Sequence, residues 1–359
     1  MQIAKEVRQI LALARKVNAS DIHIIAGMSP LLRINGEIVL ADVPPLSRDD
    51  TRRMSYSLLN PQQIAVFERD WQICCSVFDD KFGRFRVSIY YQANNPEMAL
   101  RPVTDRVATR NELRLPDTVE DLTRLTNGLI LITGPTGSGK TTTMNYMIDL
   151  INSERRCKII TIEDPVEYVH TRKKAAIVQQ ELYTDVKSFA SALVHVLRQD
   201  PDVICIGEMR DPDTTATALT AAETGHLVIA TCHTANAFQT VERIASIFPD
   251  TQQPQIITQL ANSLKAVIAQ RLVSKVDKKG RVLATELLIV EPASKRHIRE
   301  KEFHQLVSVI QTGRRMGMHT MDDSLYELYQ MGEISLEAAL NHAIYPKSLQ
   351  ERIHGDNGD

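Results

Sequence analysis

The chain of 359 residues has little cysteine, few aromatics and no surplus of either charge. Its five cysteines, Cys74, Cys75, Cys157, Cys205 and Cys232, include no Cys-x-x-Cys pair and mostly lie in apolar runs. That excludes a zinc or disulfide framework and leaves each thiol as a small core hydrophobe. Lys and Arg number 42 against 44 Asp and Glu, a formal net charge of −2, so no overall field draws in a phosphate backbone or anionic lipid. Aromatics make up only 5% and form no stripe with basic residues, which removes the stacking platform used in single-strand binding. Long apolar runs are missing too. Met1 to Val17 is broken by Lys5, Glu6, Arg8, Arg15 and Lys16, so it is neither a secretory signal nor a membrane span, and a cytosolic chain is expected. There is no internal repeat and no low-complexity tract.

What remains is ordinary for a folded protein, 43% hydrophobic and 24% charged, and the length exceeds what one core usually organises. Two domains are expected. Ile3, Val7, Ile10, Leu11, Ala14 and Val17 recur at helical spacing and predict an opening amphipathic helix. Short strands follow at Ile22 to Ile25, Leu31 to Ile34 and Glu37 to Leu40, the last two joined by a turn at Asn35 and Gly36. Helices are predicted at Arg48 to Leu59 and Gln62 to Arg69, then a hairpin of Ile73 to Phe78 with Arg84 to Tyr91. These make residues 1–101 a small α+β domain. Residues 102–127 are polar, broken by Pro102 and Pro116, and are taken as a linker. From residue 128 to 359, apolar strands at Leu129 to Thr133, Lys158 to Ile162, Val203 to Gly207 and Leu227 to Thr231 alternate with helices, which implies a mainly parallel sheet covered by helices. Beyond Thr258 the pattern is mostly helical, with a strand pair around Val282 to Val290.

Gly134-Pro135-Thr136-Gly137-Ser138-Gly139-Lys140-Thr141 fits the phosphate-binding Walker A pattern at every defined position. A predicted strand precedes it and a helix from Thr142 to Leu150 follows, so its backbone N–H groups can wrap the phosphates of a nucleoside triphosphate at a helix N-terminus. Lys140 is expected to reach the β- and γ-phosphates and the Thr141 hydroxyl to complete a Mg²⁺ shell, with Thr142 the weaker alternative. ATP with Mg²⁺ is the expected ligand.

Hydrolysis needs carboxylates beside the metal and the attacking water. The strand Val203 to Ile206 runs through Gly207 into Glu208, a Walker B arrangement with glycine in place of the usual aspartate, so Glu208 acts on the metal directly or through a water. Glu163-Asp164-Pro165 closes the strand before it, and strand C-termini are where open α/β sheets place ligands. Glu163 is therefore the choice for the general base. The alternative is that Asp164 and Glu167 only solvate a turn or cap a helix. His226 and His233 flank the strand Leu227 to Thr231; no third ligand makes them a zinc site, and either can donate a hydrogen bond to the γ-phosphate or serve as a strand-end histidine.

In this order the motifs resemble the PilT-like motors that retract type IV pili, within the wider secretion ATPases. Gly134 to Thr143 looks like the Walker A of that family and Thr161-Ile162-Glu163-Asp164-Pro165-Val166-Glu167 like its aspartate box. Ile206-Gly207-Glu208-Met209-Arg210-Asp211 resembles its Walker B, and Thr224-Gly225-His226-Leu227 through Cys232-His233-Thr234 its histidine box. Ala19-Ser20-Asp21-Ile22-His23 and Gly83-Arg84-Phe85-Arg86-Val87 are similar to its first domain. The resemblance implies a PAS-like N-terminal domain, a RecA-like ATPase domain, a homo-hexameric ring, and a pilus platform protein as inner-membrane partner. It implies a place at the cytoplasmic face of the inner membrane, held there through partners, while the near-neutral charge leads to an expectation of no stable nucleic-acid binding. It further implies Glu163 as general base, Glu208 as the Walker B carboxylate, and Arg86, Arg101 and more weakly Arg271 as phosphate contacts. Ala293-Ser294-Lys295-Arg296-His297-Ile298-Arg299-Glu300 matches the Ala-Ile-Arg-Asn-Leu-Ile-Arg-Glu helix of the retraction motors only at its end. The longer N-terminal region and four-cysteine module usual in extension and secretion motors do not fit this chain, which favours retraction over polymerisation. The other readings are another branch of the secretion ATPases, a RecA-like nucleic-acid translocase, and a slowly hydrolysing assembly switch.

Overall fold

A computed structural model of the chain describes residues 3–34, 36–103, 106–277 and 280–356; Asn35 of the expected turn, and Thr104 and Asp105 of the expected linker, lie outside them. Packing divides the chain into two units. The first comprises Met1–Arg106 together with two later excursions, Ile162–His170 and Gln179–Ala192.

The first unit opens with helix α1 (Lys5–Lys16), which buries Val7, Ile10, Leu11 and Ala14, one stripe at helical spacing. Strands β1 (Asp21–Ile24), β2 (Leu31–Ile34) and β3 (Glu37–Leu40) precede helices α2 (Arg48–Ser57) and α3 (Pro61–Asp70), each of which starts on a capping box, Ser47 with Asp50 and Asn60 with Gln63. Strands β4 (Gln72–Asp79), β5 (Gly83–Gln92) and β6 (Asn95–Pro102) complete an antiparallel sheet in the order β3-β2-β1-β6-β5-β4. β6 lies in the middle of that sheet, paired to both β1 and β5. It is an addition to the expected strands, because its opening Asn95-Pro96-Glu97 carries no strand signal. Burial of Asn95 is compensated by its bonds to the Thr51 hydroxyl at 2.6 Å and the Pro96 carbonyl at 3.1 Å.

The second unit begins with two short helices in the stretch expected to be linker, α4 (Arg110–Leu113) and α5 (Thr118–Thr123); Leu115, Val119 and Leu122 enter its core. Then come β7 (Gly128–Thr133), α6 (Lys140–Glu154), β8 (Lys158–Glu163), β9 (Ala176–Glu181), α7 (Phe189–Val196), β10 (Val203–Ile206), α8 (Pro212–Glu223) and β11 (Leu227–Cys232). After α9 (Ala237–Ser246) and α10 (Gln253–Ser263) the chain enters β12 (Leu264–Ser274) and β13 (Arg281–Ile289). Five helices close it: α11 (Pro292–Arg299), α12 (Leu306–Thr312), α13 (Met321–Gln330), α14 (Leu336–His342) and α15 (Pro346–Asp356).

The sheet order is β13-β12-β7-β11-β10-β8-β9, with β7 parallel to both β11 and β12. β12 corrects the expectation that the chain beyond Thr258 is mostly helical up to a strand pair around Val282 to Val290. It is an eleven-residue strand whose Leu264, Ala266, Val267, Ile268 and Ala269 are all buried. A strand covered on both faces has no alternation, and periodicity alone does not distinguish it from a buried helix. Among the described residues no helix is long and apolar enough to cross a membrane.

Candidate nucleotide site

The loop after β7 is shaped by its backbone. β7 is buried at all six positions, and at its end Gly134 adopts φ +143° with its Cα face against the Gln270 carbonyl and the Ser138 hydroxyl. The next residues carry the chain to Lys140, the first residue of α6, so the loop amides gather at a fifteen-residue helix's N-terminus, where an anion is favoured. The Ser138 hydroxyl is buried and has no hydrogen-bond partner among the described residues. A buried hydroxyl left without a partner costs about 1–3 kcal/mol, a cost that a phosphate oxygen in the loop would remove.

Lys140 is almost buried, and its Nζ donates to the carbonyls of Gly134 at 2.8 Å and Pro135 at 3.0 Å. It also lies 3.5 Å from His233 Nδ1. Burial pulls the ammonium below its usual pKa, and the nearby Glu208 acts in the other direction. Glu208 follows β10 and faces the same space: its Oε1 is 3.1 Å from His233 Nε2 and accepts from Arg210 Nε at 2.5 Å. Burial acts to raise the Glu208 pKa, but the Arg210 hydrogen bond and charge, with His233, outweigh it and hold the carboxyl below its usual range. Lys140, His233, Glu208 and Arg210 thus form one polar chain across the ends of α6, β11 and β10. Cys232 beside them is inert, its thiol pushed up to about 12 by burial.

The rest of the setting is held by hydroxyl and amide side chains, of which Thr133 and Gln270 lie outside the motifs. The Thr133 hydroxyl at the end of β7 donates to the Thr234 carbonyl at 2.8 Å and lies 2.6 Å from the Thr234 hydroxyl. The Thr231 hydroxyl donates to the Gly207 carbonyl at 2.5 Å, and Gln270 Nε2 donates to the Thr143 hydroxyl at 2.7 Å. A cavity of about 400 Å³ opens beside Pro135 to Ser138, walled by His233, Thr234, Arg271, Leu272, Arg281 and His342. Arg271 is fixed there by a bond to the His342 carbonyl. Thr141 is half-buried and Thr142 exposed.

One expected ligand stands elsewhere. His226 precedes β11 while His233 follows it; its carbonyl accepts from Gly128 N at 3.0 Å, which puts it at the start of β7, and its Nδ1 lies 3.0 Å from the Ala221 carbonyl. Six strand residues at roughly 3.3 Å each set it about 20 Å from the loop end of the sheet. His226 therefore does not reach a nucleotide held by the loop of its own chain, which corrects the expectation that either flanking histidine serves. The parallel strand direction is the physical reason: only C-terminal ends face the loop.

Three further expected residues belong to the first unit. Glu163 ends β8 with its side chain buried, and Gln179 Nε2 donates to its Oε1 at 3.0 Å. Arg86 pairs with Glu167 at 3.0 Å and Arg101 with Asp21 at 2.7 Å, both arginines well exposed.

Comparison with known proteins places this arrangement. Residues 1–352 match the family of type II/IV secretion system proteins. The chain is similar to a twitching motility protein of Neisseria gonorrhoeae, 40% identical over 347 residues that cover 97% of this chain and 93% of the relative. It is similar also to the type IV pilus retraction ATPase PilT of Pseudomonas aeruginosa, 39% identical over 96% of this chain and 100% of the relative. Among solved structures, the pilus retraction motor PilT with bound ADP superposes with a TM-score of 0.88 at 44% identity, covering 96% of this chain and 98% of that one.

Proposed function

The chain belongs to the type II/IV secretion system protein family and is a P-loop ATPase of α/β fold, and from that premise we propose that it is the motor that hydrolyses ATP to drive type IV pilus retraction and twitching motility. The observation that carries this reading is the polar chain Lys140–His233–Glu208 at the mouth of a loop built for phosphate.

Lys140 is held by two of the loop's own carbonyls. ATP replaces those carbonyls with β- and γ-phosphate oxygens, and the ammonium exchanges one set of oxygens for another without passing through a desolvated, unpaired state. His233, already within reach of Lys140 and Glu208, then answers the γ-phosphate. Thr141 and Glu208 offer the hard oxygen donors that suit Mg²⁺, which would neutralise charge developing on the phosphates. Glu163 accepts the proton of the attacking water. Gly134 to Thr141 bind and orient the phosphates, and Arg271 lines their surroundings.

The finer assignments rest on the resemblance. The working form is a homo-hexamer at the cytoplasmic face of the inner membrane, acting on a pilus platform protein there. Arg86 and Arg101 contact the γ-phosphate across the ring. Each must first leave its carboxylate, a modest cost since exposed ion pairs contribute about 0–1 kcal/mol. The test is complementation: in a strain lacking its retraction motor, the wild-type chain restores twitching, whereas Glu208→Gln neither restores it nor releases phosphate in vitro. Twitching restored by Glu208→Gln would sever motility from hydrolysis and defeat the proposal.

A further inference from the structure

A cavity of about 710 Å³ in the second unit takes no part in this chemistry. Its volume lies within the roughly 300–1,000 Å³ usual for small-molecule sites. Leu115, Leu283, Met318 and Leu328 give it an apolar floor, and Arg110, Arg114, Arg314 and Arg352 stand round it. None of these eight residues lines the cavity beside the phosphate loop.

The arginines are not alike. Arg110 pairs with Asp117 and Glu120, and Arg114 with Glu333, so those two are answered by carboxylates and tie α4 to its neighbours. Arg314 and Arg352 share one partner. Both donate to the same oxygen, Asp323 Oδ1, at 2.5 and 2.8 Å. The other oxygen, Oδ2, is taken by the Thr320 amide at 3.1 Å and hydroxyl at 2.7 Å. Two guanidinium charges thus face one carboxylate whose lone pairs are committed. Among the described residues each guanidinium spends one hydrogen bond on it, out of roughly five N–H donors apiece. Arg352 is held in place by stacking on Tyr326, 3.9 Å from the ring centroid, while the Arg314 side chain is 63% exposed. A structural role for the cluster accounts for one arginine, not for the second.

We propose that this cavity binds a small organic phosphate, its phosphate oxygens on Arg314 and Arg352 and its apolar or planar body on Leu115, Leu283, Met318 and Leu328. Two adjacent guanidinium forks suit a dianion with three free oxygens better than a carboxylate, which one fork satisfies. The apolar floor asks for a body that inorganic phosphate lacks. The site joins residues just before β7 to the last helices of the chain, and it is separate from the hydrolytic residues.

The test uses the full chain carrying Lys140→Ala, which disables the phosphate loop, titrated with AMP, inorganic phosphate and adenosine by calorimetry. AMP is expected to bind saturably at one site, with inorganic phosphate competing at least tenfold more weakly and adenosine failing to bind. Adding Arg314→Gln, a change on an exposed side chain, is expected to weaken AMP at least tenfold while a single cooperative melt is retained. Absence of saturable AMP binding overturns the proposal. So does affinity unchanged by Arg314→Gln, or inorganic phosphate binding as tightly as AMP. Binding of an acidic peptide at these arginines with no response to AMP would assign them to a protein partner and overturn it as well.

Discussion

Alanine placed at Gly134 and at Gly137 separates steric support of the loop from the simple loss of a glycine. A Cβ on Gly134 would meet the Gln270 carbonyl oxygen at 2.4 Å and the Ser138 hydroxyl at 2.6 Å, at a φ of +143°. Both distances are far inside the roughly 3.3 Å of even a close C–H···O contact. One obstacle is backbone of β12, which cannot turn aside. The backbone conformation costs about 1–3 kcal/mol, and the overlap about 1–3 kcal/mol more. At Gly137 the φ is +77° and nothing lies within 4 Å, so only the left-handed backbone term remains, about 1–2 kcal/mol. If the loop relieves the strain by opening, those energies appear as lost nucleotide affinity. The expectation is about 30-fold to 10⁴-fold weaker ATP binding for Gly134→Ala against about 5- to 30-fold for Gly137→Ala. Calorimetric titration with ATP, beside thermal melts of the nucleotide-free proteins, measures both. The reasoning is refuted if Gly134→Ala binds within threefold of wild type at an unchanged melting temperature, or if Gly137→Ala is the worse of the two.

Lys140→Ala should abolish measurable ATP binding, whereas Glu163→Gln should keep the wild-type affinity while turnover falls about 10²- to 10⁴-fold; rapid phosphate release by the latter removes Glu163 from the base role. His233→Ala should weaken ATP binding or turnover at least tenfold and His226→Ala by less than twofold in the isolated chain, as measured by steady-state kinetics; equal effects would contradict the placement of His226 at the far end of β11. Asp323 supplies a pH prediction. Burial acts to raise its pKa, but hydrogen bonds from Thr320 and Arg352 and the charge of Arg314 more than offset that and leave it lowered. A depressed carboxyl contributes stability above its unfolded pKa and loses it as pH falls through the folded value. Asp323→Asn should therefore cost about 1–3 kcal/mol at pH 7, from the lost charge-assisted bonds to Arg314 and Arg352, a melting shift of roughly 2–4 °C per kcal/mol. The gap between wild type and variant should close in acid, and a gap that persists to acid unfolding would show that the charge is not its source.

The parts legible in the sequence are those whose physics is local. A phosphate loop needs glycines, a lysine and a following helix within one short stretch, so Gly134 to Thr141 declares itself in its own residues. Helices with one apolar stripe, such as Lys5–Lys16, are legible for the same reason. What escapes depends on distant partners. β12 is buried on both sides between β7 and β13, and its sequence carries no mark of which neighbours it will have. β6 begins with polar residues whose burial depends on Thr51, far away in the chain. His226 and His233 look equivalent in sequence because each flanks the strand; only its direction in the sheet separates them. The excursions Ile162–His170 and Gln179–Ala192 pack with the first unit although they interrupt the second. Their anchors, among them Glu181 to the Ser76 amide at 3.0 Å and Arg86 to Glu167, join residues far apart in the chain that share no motif.

Threonines tie together the loop end of the second unit's sheet. The loops after β7, β10 and β11 carry Lys140, Glu208 and His233, and loops left to themselves would hold those groups at variable distances. Here the Thr133 hydroxyl bridges to Thr234, the Thr234 hydroxyl to Thr240 at 2.6 Å, and the Thr231 hydroxyl to the Gly207 carbonyl, so all three loops are bonded to one another through short side chains other than those three. Below them Gln270 ties β12 to Thr143 on the first turn of α6. Each such bond is worth only about 0.5–1.5 kcal/mol net, but together they leave the positions of the backbone settled before nucleotide arrives. A preorganised site of this kind spends little binding energy on ordering itself, and more of that energy remains for the transition state. The group expected to move when a nucleotide binds is therefore the Lys140 side chain, which would exchange the Gly134 and Pro135 carbonyls for phosphate while the hydroxyl ties stay closed.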